Sequence, residues 1–153
     1  MDLNYNRKEH LELLKKGIVS LESEDSKKLM RYKTMMNTYL DWCIREYYLE
    51  LLENFQEGEI EACNFCITFE NTGKLTSDIL DILESNLIIL SPNKKALGFV
   101  DLLEEIFDAC YAYLEDVRDY EFYIKNDMQK YDMEFKNSIE EIYLKIQSFL
   151  NEG

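Results

Sequence analysis

Apolar residues along the chain recur at steps of three and four, the spacing that places side chains on one face of a helix. Met36, Leu40, Cys43, Tyr47, Leu51 and Phe55 form the first such series. It predicts one long helix, from a capping cluster at Ser23-Glu24-Asp25-Ser26 to about Glu57, with Gly58 as a left-handed terminator. Ala62, Phe65, Cys66 and Phe69 predict a shorter helix over about Glu59–Asn71, ended by Gly73. A further helix is expected to start at Thr76-Ser77 and to present Ile79, Ile82 and Leu83. It leads into Leu87-Ile88-Ile89-Leu90, a run too short for periodicity to separate strand from helix. Ser91-Pro92-Asn93 closes that run, because the residue before proline is pushed out of helical geometry.

The clearest series follows Gly98: Phe99, Leu103, Ile106, Cys110, Tyr113 and Val117. Phe135, Ile139, Ile142, Ile146 and Phe149 predict a last helix over about Met133–Leu150. Asp119–Asp132 has no clean stripe, and Arg7–Leu21 is weakly periodic, either a short helix or a loosely attached arm. Helices with one apolar stripe bury it on one another. The expected fold is all-α, an antiparallel helical bundle of four to five helices. Residues 23–150 are its body and residues 1–22 its N-terminal arm or short helix.

Composition agrees with helices: one proline and five glycines in 153 residues leave few of the breakers that sheet proteins need at their turns. Charge adds an asymmetry. Residues 1–36 hold eight Lys/Arg against six Asp/Glu, a net of +2, and residues 37–153 hold nine against 25, a net of −16, so the acidity belongs to the later part of the chain. Such a field repels nucleic acid and anionic membrane and attracts basic proteins. The first residues, Met1-Asp2-Leu3-Asn4-Tyr5, lack a basic-then-apolar leader, and no apolar run approaches a membrane span. A cytoplasmic location with reduced thiols is expected.

Candidate chemistry is thin. His10 is the single histidine, expected as an exposed helix residue rather than a catalytic base. Cys63-Asn-Phe-Cys66 has the gap of a redox or zinc motif but no second ligand pair, so packing is the better account. Asp116–Asp127 has the length of a calcium loop, yet Arg118 and Tyr120 stand at its third and fifth positions and no glycine at its sixth. No enzyme activity, cofactor or metal is expected. The distinctive stretch is Asp101–Glu134, with eleven acids against Arg118, Lys125 and Lys130, and with Tyr111, Tyr113, Tyr120, Tyr123 and Tyr131 interleaved. Carboxylates beside tyrosines suit a protein interface, and they match the Lys/Arg groups that otherwise hold phosphates.

Two segments carry a resemblance. Tyr48-Leu-Glu-Leu-Leu-Glu-Asn-Phe-Gln-Glu-Gly-Glu-Ile60 with Cys63-Asn-Phe65, and Gly98-Phe-Val-Asp-Leu-Leu-Glu-Glu-Ile-Phe-Asp-Ala-Cys110, resemble the colicin D-type immunity family. The likeness spans about residues 39–150, with Tyr111 where an acid is more usual. It implies a small helical bundle that inhibits a tRNA-cleaving nuclease toxin by presenting acids to its basic active site. Asp108, Glu115 and Asp116 are then the residues expected at that cleft. Asp119, Tyr120, Glu121 and Tyr123 complete the expected partner-binding set. A nucleic-acid mimic that blocks a DNA- or RNA-binding protein is the alternative, and an oligomeric helical protein, such as a homodimer through the tyrosine-rich face, is a third.

Overall fold

The computed structural model describes residues 5–17, 23–119 and 127–152. Those residues form six helices and no strand: α1 (Arg7–Lys16), α2 (Glu24–Cys43), α3 (Arg45–Gln56), α4 (Ala62–Ser85), α5 (Ala96–Arg118) and α6 (Met128–Asn151). Six replaces the expected four to five, and each difference has a local cause.

The series running from Met36 to Phe55 spans two helices, not one. At Ile44 the backbone leaves helical geometry (φ −99°, ψ 20°), ending α2 and starting α3. The break shifts the phase of the apolar face by one residue: Tyr48 is fully buried while Tyr47 is half exposed, and Cys43 faces solvent. Conversely, Gly73 does not end a helix. It sits inside α4, with room for a Cβ against Phe107, and Thr76 bonds back to its carbonyl rather than capping a new helix. Because α4 is continuous from Ala62, its buried face continues through Thr72, Thr76 and Leu80, and Ile82 turns outward. Leu87–Leu90 is neither helix nor strand; it leaves α4 through a turn and buries Ile89.

Other ends follow their local chemistry. Ser23 caps α2 by accepting from the Ser26 amide, and Asn6 caps α1 by accepting from that of Glu9. Gly58 (φ 80°) ends α3 in a Schellman turn, the Glu59 and Gly58 amides reaching the carbonyls of Asn54 and Phe55. The α5 and α6 stripes bury as their spacing predicts, with Val117 and Phe149 only partly covered. These two helices run in opposite directions: Tyr113 near the end of α5 bonds Asp132 near the start of α6, while Gly98 meets the Phe149 ring at the other end.

Two apolar cores result. The first joins α3, the N-terminal half of α4, α5 and α6 around Phe55, Phe65, Phe69, Phe99 and Phe135. The second joins α1, α2, the end of α4 and the start of α5 around Tyr32, Met36, Tyr39, Leu80 and Ile89. Trp42 and Ile44, at the α2–α3 break, pack against both. No helix among the described residues is long and apolar enough to cross a membrane.

Candidate functional site

With Phe99, Leu103, Ile106, Cys110 and Tyr113 turned inward, α5 presents acids on its other side. Asp101, Glu104, Glu105, Asp108, Glu115 and Asp119 are all exposed there, and the helix carries one cation, Arg118, in its last turn. Glu105 is paired with Lys145 of α6 at 3.3 Å. The α5 macrodipole is negative at this C-terminal end, so Glu115 and Asp119 add to the field there rather than cancelling it.

Tyr111 stands in the middle of this face, 66% exposed. Its hydroxyl is held by Glu115 one turn on, and that bond, more than the charge of Glu115 behind it, raises the hydroxyl's pKa. Asp108, Tyr111, Phe107 and Cys110 line a shallow cleft of about 250 Å3 with Glu70, which α4 contributes. The sequence offered no way to select Glu70. Only the packing of α4 against α5 brings it beside Asp108.

Asp116 has a different place. It is half-buried and accepts a hydrogen bond from the Tyr131 hydroxyl of α6. In the reverse sense, Tyr113 of α5 donates to Asp132 of α6 at 2.6 Å. The two rings stack, with centroids 5.6 Å apart and planes 12° from parallel, and Phe135 packs against Tyr113. Burial first, and then the carboxylate partners, push both tyrosine pKa values up, so both remain neutral donors. This double clasp fastens the ends of α5 and α6, and it gives Asp116, Tyr113 and Tyr131 a positioning role. Asp119 is exposed just past α5. Tyr120, Glu121 and Tyr123, also expected at the surface that binds a partner, lie outside the described residues. Asp108, Glu115 and Asp119 are thus presented outward, and Asp116 faces the neighbouring helix.

His10 is not the exposed residue expected from its weakly periodic segment. It is fully buried, its Nδ1 2.9 Å from the Tyr5 hydroxyl and its ring against Tyr32, and burial lowers its pKa. Cys66 and Cys110 are buried side by side, and their mutual hydrogen bond and then desolvation push the Cys66 thiol up, away from the reactive thiolate. Cys63 is exposed, on a cleft of about 420 Å3 between the α3–α4 turn and α6 that Phe55, Ile60, Asp132 and Lys136 also line. No group of three or more His, Cys, Asp or Glu among the described residues is placed to hold a metal ion. Compared with protein families, with characterised proteins and with solved structures, the chain finds no match.

Proposed function

We propose that this chain is a non-catalytic acidic binding protein, an immunity-type inhibitor that covers the basic active-site cleft of a nuclease toxin. The observation that supports it is the exposed face of α5, where Asp108 and Glu115, with Glu70 from α4, surround the outward Tyr111. Carboxylates so placed meet the Lys/Arg groups that a nuclease uses for phosphates, and a net charge of −14 speeds the encounter at low salt. Tyr111 supplies a rigid aromatic contact at small entropic cost. Asp119, Tyr120, Glu121 and Tyr123 extend the same acidic run along the chain, and the Tyr113–Asp132 and Tyr131–Asp116 clasp holds the two helices that carry it.

The test is capture of basic nucleases from a lysate of the source organism, followed by an assay of each captured nuclease with and without this chain. Asp108→Lys with Glu115→Lys should abolish inhibition and leave the Tm within a few degrees, because both side chains are exposed. Inhibition that survives the double reversal would remove the α5 face from the mechanism. Competition with nucleic acid for several unrelated basic proteins would replace the immunity role with that of a nucleic-acid mimic.

A further inference from the structure

Three of the four cysteines converge where α4 packs against α5. Cys66 of α4 and Cys110 of α5 are buried in the first core and share a hydrogen bond, so their sulfurs meet across the two helices. Cys63 lies three residues before Cys66, a spacing that makes the two neighbours on the helix surface, yet it is exposed. Cys43, the fourth, is exposed at the end of α2 with no other cysteine on its helix.

Thiol–disulfide exchange needs an accessible sulfur for the first contact and a second sulfur within bonding reach. Cys63 meets the first need. It is the second residue of α4, where no side chain caps the helix, and it lines the cleft of about 420 Å3 with Ile60, Tyr113 and Lys136. Reactive cysteines occupy such places, partly exposed at a helix N-terminus and near a cation. Cys66 and Cys110 meet the second need, and the packed core closes both to direct attack from solvent. Tyr113, one turn past Cys110 on α5, links the two places. Burial and Asp132 raise its hydroxyl pKa most, and Cys63 and Cys66 both lie near enough to add to the rise.

We infer that Cys63, Cys66 and Cys110 form a thiol–disulfide exchange site, which accepts a low-molecular-weight disulfide at the cleft and stores its oxidation as a Cys66–Cys110 bond between α4 and α5. For a disulfide RSSR, the Cys63 sulfur attacks one sulfur and forms a mixed disulfide, and the departing RS− takes the Cys63 proton. The Cys66 sulfur then attacks Cys63 Sγ and expels the second RS−, which takes the Cys66 proton. Side chains three apart on a helix hold their Cβ atoms about 5–6 Å apart. A relaxed disulfide needs about 3.5–4.5 Å. The Cys63–Cys66 bond is therefore strained, and strained disulfides exchange most readily. Cys110, already in contact, attacks Cys66 Sγ and frees Cys63, to which its proton passes. In balance, one RSSR is reduced to two RSH and one disulfide forms in the protein. Cys110 also lines the cleft of Glu70, Asp108 and Tyr111, so the new bond fixes α4 to α5 at that cleft, whatever binds there.

The probe is 2-hydroxyethyl disulfide, small and uncharged, added in equal molar amount to the reduced whole chain and quenched with acid at intervals. Peptide mapping by mass spectrometry should show an adduct on Cys63 that decays as Cys66 becomes joined to Cys110. The adduct on Cys43 should persist, because no second cysteine resolves it. Cys63→Ser, at an exposed position that leaves the core intact, should slow the Cys66–Cys110 bond by about tenfold or more. Cys110→Ser should stop the reaction at the Cys63–Cys66 bond. The bonded chain should melt several degrees higher and return to its first Tm with dithiothreitol. Adducts that persist on Cys63 as on Cys43, with no internal bond, would overturn the inference. So would an equal rate in Cys63→Ser, or a Cys63–Cys66 bond as the end state of the unsubstituted chain.

Discussion

The two cores of this bundle are built from different materials. The first is centred on packed phenylalanine rings: Phe55 and Phe65 stack with centroids 4.4 Å apart, and Phe69 meets Phe65 and Phe107 at tilted or edge angles. Its buried hydroxyls are answered, Tyr48 by Asp41 at 2.8 Å and Tyr113 by Asp132. The second core holds two methionines, two tyrosines and the histidine ring. Around it, His10 Nε2, Asn37 Oδ1 and Glu84 Oε1 are buried with no hydrogen-bond partner among the described residues, against Gln56 Nε2 at the end of α3. Unanswered buried polar atoms each cost about 1–3 kcal/mol. The first core therefore sets the stability of the molecule, and the second is where it opens.

The largest effect expected is in the first core. Phe65 is fully buried against three other phenylalanines, and Phe65→Ala should cost about 3–5 kcal/mol, seen as a lower denaturant midpoint. A loss below about 1 kcal/mol would mean that this core collapses around the cavity and does not dominate as argued.

The next effect lies at the junction and depends on pH. Burial pushes the Asp41 carboxyl up to about 6, the bond from Tyr48 opposing it. The folded chain thus holds this proton more tightly than the unfolded one, so the stability it contributes is full below the ordinary carboxylate range and is lost as pH rises through about 6. Asp41→Asn should add about 1–2 kcal/mol at pH 7.5 and almost nothing at pH 4. His10 acts with the opposite sign. Its lowered pKa supports the fold above its ordinary 6.5 and withdraws that support as pH falls. Amide protection factors in α1 should fall toward pH 5 well before those in α5, and His10→Phe should remove the difference. Equal protection in both helices across that range would erase the contrast between the cores.

The smallest effect tests the helix that feeds both. Gly73 lies inside α4 with a Cβ space 3.7 Å from Phe107, so Gly73→Ala should stabilise by about 0.5–1 kcal/mol, a few degrees in Tm. A destabilised variant would show that α4 bends at this position.

Which parts of the molecule the pattern of residues disclosed follows from the same physics. Stripes on α5 and α6 were legible because each helix is long, uninterrupted and buried on one side, so the 3.6-residue period survives intact. Ile44 carries no breaker and no cap, and the break there comes from packing against both cores, which periodicity does not encode. Gly73 and Thr76-Ser77 look like a stop and a start, yet neighbouring helices supply enough burial to carry α4 through them. The acidic character of α5 was plain from its residues. That Asp116 turns to Tyr131 while Asp108 joins Glu70 depends on helix rotation and partner, and neither is written locally. His10 went inside for a similar reason, since α1 gains its burial from α2.

The α2–α3 break also furnishes the molecule with a built-in light source. Trp42 is the only tryptophan in the chain, and it touches both cores, with its ring edge-on to Phe99 at 5.6 Å and the Arg45 guanidinium 4.3 Å from its centre. Its fluorescence arises from one indole at the seam. Emission excited at the red edge of absorption, where tyrosine is dark, therefore follows that seam alone, and no label is needed to watch one half of the bundle loosen while the other stays closed.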